Sequence, residues 1–244
     1  MRYPWLPTTQ AEDPHALSAA YTRNCMSQIV IGASGGLGAA FLQALGPTAT
    51  GFSRSSTPAL HLEDEASIAA AAASLASPPT LIINATGFLH GGGFMPEKTF
   101  AALSPEHMAR AFAINTIGPA LLLKHFLPLL PRGERAVFVT LSAKVGSIGD
   151  NQSGGWYSYR AAKAALNQII HTAAIELRHK RPDAICLAMH PGTVSTRLSA
   201  PFAKTGLNVR PPAQAAAAML SVISRLTPAD SGKFLAYDGV ELPW

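Results

Sequence analysis

Short apolar runs alternate with helix-like stretches about seven times along this chain, and that alternation constrains the fold more than any single motif. The runs fall at residues 28–33, 48–52, 59–62, 80–84, 135–141, 184–190 and 233–237. Residues 80–84 are continuously apolar rather than alternating, as strands buried on both faces are. Between the runs, helices are predicted at 37–45, 65–75, 104–115, 118–130, 157–180 and 212–226. Gly46-Pro47 stops the first, Pro78-Pro79 lies beyond the second, and Ser104 caps the third with Pro105 at its first position. This alternation of strands and helices predicts an α/β fold. It is a doubly wound, Rossmann-type parallel sheet of about seven strands with helices on both faces, in a single domain.

The composition agrees with one packed domain. Of 244 residues, 48% are hydrophobic and only 14% charged, enough to fill a core and far from a disordered composition. The alternation starts at Met26, so residues 26–244 are expected to be the domain and residues 1–25 an N-terminal extension. That extension has prolines at 4, 7 and 14, acids at 12 and 13, and no apolar centre, unlike a secretory leader. No stretch approaches the ~20 apolar residues of a membrane span, so no membrane partner is expected. The net charge is +5, but the basic residues are scattered. The densest run, Arg178-His179-Lys180-Arg181, closes a predicted helix, where cations meet the negative dipole end, and no nucleic-acid partner is expected. Cys25 and Cys186 are far apart, and no His/Cys/Asp cluster has ligand spacing, so no metal is expected. Reduced thiols and a cytoplasmic location follow as the default.

Residues 32–38, Gly-Ala-Ser-Gly-Gly-Leu-Gly, sit between the first strand and the first helix. In a doubly wound sheet the pyrophosphate of a dinucleotide lies there. Glycines let the backbone turn and approach the phosphates, and the helix N-terminus offers free N–H groups. An NAD-binding chain usually places a carboxylate on the ribose hydroxyls about 20 residues further on. Here no Asp or Glu occurs between Gly38 and Glu63, and the second strand ends Gly51-Phe52-Ser53-Arg54. Arg54 can pair with a 2′-phosphate and Ser53 can donate to it, which favours NADP(H) over NAD(H).

Tyr159 and Lys163 are four residues apart and share a helix face. A lysine ammonium favours the phenolate and so tunes a phenol whose ordinary pKa, near ~10, is too high for proton transfer at neutral pH. Ser142 ends an apolar strand, where ligands gather in such sheets, and Asn115 ends a helix. Tyr157 falls on another face from Lys163, and Ser147 and Ser153 end no strand.

These motifs resemble the short-chain dehydrogenase/reductase family. The shared features are the 32–38 loop, Asn84-Ala85-Thr86-Gly87, Asn115, Ser142, Tyr159 with Lys163, and Pro191-Gly192-Thr193-Val194-Ser195-Thr196, in the family's order and spanning residues 26–244. Residues 142–167 are most similar to the C-factor-like subgroup. The resemblance implies a carbonyl reductase or alcohol dehydrogenase in which Tyr159 gives a proton to the carbonyl oxygen, Ser142 holds that oxygen, Lys163 binds the nicotinamide ribose and Asn115 holds a relay water. It also implies that Gly32, Ser34, Gly36, Leu37 and Gly38 wrap the pyrophosphate and that Leu62 contacts adenine. Asn84, Ala85 and Gly87 would line the adenosine ribose side, and Pro191, Gly192, Val194 and Thr196 would hold the nicotinamide amide. It implies a homodimer or homotetramer formed through two long helices. An alternative is a dinucleotide-binding signalling or sensor protein with little turnover.

Three departures stand out: Ile31 for a threonine, Thr86 for an alanine, and His61 where an aspartate often meets adenine. His90 reads as a loop residue, or else as part of the cofactor or substrate entrance. The short segment 195–210 carries Leu198, Pro201, Phe202 and Leu207, an apolar lid that suits a small or apolar carbonyl substrate.

Overall fold

Strands that are apolar on both faces need helices above and below them, and the chain supplies both layers. The computed structural model describes residues 27–202 and 209–244; the extension at 1–25, Cys25 and Leu207 lie outside the described residues. The chain runs β1 (Ser27–Ile31), α1 (Gly36–Leu45), β2 (Ala49–Phe52), α2 (Glu65–Ala73) and β3 (Pro79–Asn84). It continues through α3 (Pro105–Phe112), a π turn (Ala113–Ile117), α4 (Gly118–Phe126), β4 (Ala136–Leu141), α5 (Tyr157–Lys180) and β5 (Ala184–His190). Two-residue strands β6 (Thr193–Val194) and β7 (Val209–Arg210), then α6 (Pro212–Arg225) and β8 (Phe234–Ala236), complete it.

Six strands form one sheet in the order β2-β1-β3-β4-β5-β8, all pairs parallel. Successive side chains of each strand point to opposite faces. Phe138, Ala184, Cys186 and Ala188 therefore join α2, α4 and α5 in one core, with Ile68, Phe126, Leu166 and Ile170. Val137, Val139, Ile185, Leu187 and Met189 join α1 and α6 in the other, with Phe41, Ala216 and Met219.

Two expectations are corrected. Residues 59–62 form no strand, so the sheet has six strands rather than about seven. A parallel neighbour of β2 needs a crossover of about a dozen residues or more, and only residues 53–58 separate Phe52 from this run. Leu60 is instead buried, with its N–H donated to Ser53 O at 2.9 Å. Second, Pro105–Leu129 is long and apolar enough to cross a membrane by length and composition. The π turn interrupts it, and its apolar residues Leu122 and Phe126 are fully buried against the sheet, so it is a core helix.

Phe138, on the central strand β4, is fully buried between α4 and α5. Phe138→Ala is expected to cost about 3–5 kcal/mol of unfolding free energy in a urea titration; a loss below about 1 kcal/mol would contradict this packing.

Candidate active site

The chain leaves β1 toward β2 on one side and reaches β3 on the other, and a crevice opens beyond the carboxyl ends of these strands. It is a cleft of about 430 Å³, bordered by Gly35, Gly36, Leu37, Arg54, Ala85, Thr86, Gly87, His90, Leu141, Ser142, Tyr159, Lys163, Pro191, Thr196, Arg197 and Leu198. Residues far apart in sequence thus meet there.

At one end is the glycine loop. Gly32 has φ 84°, and the amides of Gly32 and Ala33 both donate to Phe52 O, at 2.8 and 3.0 Å. A Cβ on Gly38 would stand 2.1 Å from Gly32 O, so only glycine lets α1 start this close to β1. The first turn of α1 has no side-chain cap and no acid, which leaves its amides for an anionic ligand. Ser34 is exposed on the loop. Arg54 is exposed at the cleft edge, beside Ser53 Oγ and Ser55 Oγ, which are 3.1 Å apart. This cradle, uncapped helix and cationic rim fit a phosphorylated dinucleotide.

Leu62 is half-buried against Gly118 of α4, outside the cleft lining, and His61 is exposed. Asn84 is buried, and its Oδ1 accepts from Thr86 N at 3.2 Å and Thr86 Oγ1 at 2.6 Å. The threonine that departs from the family pattern therefore ties the end of β3. Gly192 has φ 76°, while the Val194 side chain is buried in the α1/α6 core, and neither residue is in the cleft lining.

At the other end stands α5. Tyr159 and Lys163 lie on the helix face that buries Leu166 and Ile170, so they are only 8% and 3% exposed. Burial pushes the Tyr159 phenol up and the Lys163 ammonium down to about 7. Lys163 Nζ donates to Leu141 O at 2.9 Å and lies 6.0 Å from the Tyr159 ring centre. A Cβ on Gly87 would lie 3.7 Å from Asn115 Oδ1 and 4.0 Å from Lys163 Nζ, so these three residues converge. Asn115 sits in the π turn, a feature common at functional sites. Its side-chain amide is engaged with the backbone of Phe88, accepting from N at 2.9 Å and donating to O at 2.7 Å.

Ser142 borders the cleft, but its hydroxyl donates to Asn167 Oδ1 at 2.6 Å. Asn167 escaped sequence reasoning, although Tyr159, Lys163 and Asn167 follow one another at four-residue helical spacing. Ser147 instead bonds Trp244 O and Asp150 N, and Ser153 lies beside Lys98 and Arg160, away from the cleft. Tyr157 is outside the cleft lining. His90 does border the cleft, and its Nε2 is 3.3 Å from Arg197 O. An aromatic arc joins two residues of the cleft lining, Tyr159 and His90: Trp156 meets Tyr159 and Phe202 with ring centres 6.3 and 5.0 Å apart, and Phe202 meets His90 at 5.4 Å.

The buried lysine makes stability depend on pH. Its pKa is about 7 in the folded chain, against the ordinary lysine value of 10.5 once the chain unfolds. Between these values the unfolded chain holds a proton that the folded chain has released, so stability rises with pH across that window. The Tm of the wild type minus that of Lys163→Met is therefore expected to grow in the wild type's favour between about pH 7 and pH 10. A difference independent of pH would show that Lys163 stays charged in the fold.

Known proteins carry the same architecture. A family model described as enoyl-(acyl carrier protein) reductase matches residues 59–239. The 1-hydroxy-2-glutathionyl-2-methyl-3-butene dehydrogenase of Rhodococcus sp. (strain AD45) is 34% identical over 189 residues, 77% of this chain and 79% of that protein. C-signal of Myxococcus xanthus is 36% identical over 138 residues, 56% of this chain and 78% of that protein. An NADPH-bound carbonyl reductase from chicken fatty liver superposes with a TM-score of 0.77 at 28% identity, over 91% of this chain and 100% of that one. With its parallel sheet and its glycine-turned cleft, the chain belongs to the short-chain dehydrogenase/reductase family and is an oxidoreductase.

Proposed function

We propose that this enzyme interconverts a small or apolar carbonyl compound and its alcohol with NADP(H), in the cytoplasm, with Tyr159 as the acid and base. The observation that carries this reading is the burial of Tyr159 and Lys163 side by side at the cleft, opposite Gly87 and Asn115. Gly32, Ser34, Gly36, Leu37 and Gly38 hold the pyrophosphate, and Ser53 and Arg54 the 2′-phosphate. Asn84, Ala85 and Gly87 would line the adenosine ribose side, Lys163 would hold the nicotinamide ribose, and Pro191, Gly192, Val194 and Thr196 the nicotinamide amide. When bound, the reduced nicotinamide supplies the hydride.

The chain's own residues manage the proton. A desolvated phenol keeps its proton until negative charge develops on the carbonyl oxygen, and Tyr159 then donates it. Lys163, whose buried ammonium gives up its proton more readily than an ordinary lysine, stabilises the resulting phenolate when charged. Ser142 holds the carbonyl oxygen only by releasing Asn167, so Asn167 competes with substrate for the serine proton. Asn115, at the π turn, supports the relay that restores the Tyr159 proton. The arc of Trp156, Phe202 and His90 sets aromatic rings beside the cleft and favours apolar substrates.

A groove of about 650 Å³ between α4 and α5, lined by Leu123, Leu127, Ile169 and Ala173 among others, supports a homodimer or homotetramer formed through these helices. The likeness to C-signal favours a second reading, a signalling protein with little turnover.

Tyr159→Phe is expected to lower the rate of NADPH-dependent carbonyl reduction by about 10²- to 10⁴-fold while leaving NADPH binding intact. Equal rates across a panel of carbonyl compounds would defeat the mechanism, and tight binding without turnover in the wild type would favour the signalling reading. Removing a charged hydrogen-bond partner costs about 1.5–3 kcal/mol, so Arg54→Ala is expected to weaken NADPH binding about 10- to 100-fold and NADH binding little. Equal losses for both cofactors, measured by fluorescence titration, would remove Arg54 from cofactor selection.

A further inference from the structure

Glu97 carries a buried carboxylate that the proposed reaction does not use. It lies between β3 and α3 and is 3% exposed. Its Oε2 accepts from Ser158 N at 3.2 Å, and its Oε1 accepts from Ser158 Oγ. His107 Nδ1 stands 3.3 Å from the same Oε1, with its ring stacked on Phe94 at 5.0 Å between centres. The main-chain oxygen of Glu97 accepts from Trp156 N at 2.5 Å. Apart from His107, every one of these partners is in the first turn of α5 or is the residue before it. Burial opposes ionisation of the carboxyl, but the hydrogen bonds, from Ser158 Oγ first, outweigh it and hold the group below the usual carboxylate range.

The helix that receives this carboxylate has no cap of its own. Its N-cap residue, Trp156, makes no side-chain cap, and its first turn contains no acid. The chain enters through three left-handed residues, Gly154 (φ 61°), Gly155 (φ 65°) and Trp156 (φ 55°). A tryptophan in that region is strained and persists only where its surroundings hold it. Free amides and the positive dipole end at such a start favour an anion. A carboxylate kept only to neutralise His107 would need one oxygen. Here both oxygens go to Ser158, the residue next to Tyr159.

We propose that Glu97 is a positioning residue for Tyr159: from a separate loop, its carboxylate caps the N-terminus of α5 and fixes the turn that aims the phenol at the cleft. The proposal rests on the reading of Tyr159 as proton donor. Small displacements of a reacting group cost rate steeply, so the signature is a loss of kcat without a loss of cofactor affinity.

The test compares the full-length wild type with Glu97→Gln, Ser158→Ala and Tyr159→Phe. It measures kcat and KM for a carbonyl substrate, NADPH affinity by fluorescence, and amide exchange over residues 157–160. Glu97→Gln is expected to lose about 10- to 100-fold in kcat, to bind NADPH as the wild type does, and to exchange faster at the start of α5. Ser158→Ala keeps the backbone bond to Oε2 and is expected to show a smaller loss of the same kind. Wild-type kcat in Glu97→Gln overturns the proposal; should that variant not fold, wild-type kcat in Ser158→Ala overturns it. Equal kcat in wild type and Tyr159→Phe overturns both the proposal and the reading beneath it.

Discussion

Helix α5 packs a single face against the sheet, and that face carries two kinds of residue. Leu166, Ile170, Ala174 and Leu177 fill the core, while Tyr159, Lys163 and Asn167 continue the same stripe to the cleft. Burying the aliphatic end sets the rotation of the helix, and the rotation forces the polar end out of water. A lysine dragged in this way would be costly without a partner. The main-chain oxygen at the end of β4 meets it, and its pKa falls toward neutrality. The chemistry proposed for the cleft therefore depends on hydrophobic packing several turns away.

The glycine loop follows a similar logic on the opposite edge of the cleft. Gly38 brings α1 against Gly32 O at a distance no side chain permits, and the exposed amides at that helix start remain free. Thr196 closes over Gly36, whose added Cβ would reach Thr196 Cγ2 at 3.0 Å. The segment after β5 is thus seated directly on the loop after β1.

Most of this was legible in the chain itself, because buried parallel strands leave an unmistakable run of apolar residues. Strand β5 and helix α5 fall where expected, at Ala184–His190 and Tyr157–Lys180. Residues 59–62 look like a strand by composition, but composition does not reveal whether a partner edge can be reached. The convergence of Tyr159, Lys163, Ser142 and Asn115 followed from motif order, yet the hydrogen bonds did not. Asn167 Oδ1 accepts from the Ser142 hydroxyl, and the Glu97 carboxylate accepts from Ser158 N, 61 residues away in sequence. Such contacts join segments with no periodic relation, so no local pattern announces them.

Losing the strand at 59–62 makes β2 the border of the sheet. A sheet border exposes unpaired peptide groups and invites another chain to add itself. Here the border is four residues long, and it is followed by a knot of serines in which Ser56 Oγ donates to Ser53 O and accepts from Ser53 N. So short a ledge offers little for intermolecular strand addition, and the serine knot that terminates it also carries the arginine at the cleft rim. The same few residues therefore end the open border of the sheet and set a positive charge at the cleft rim.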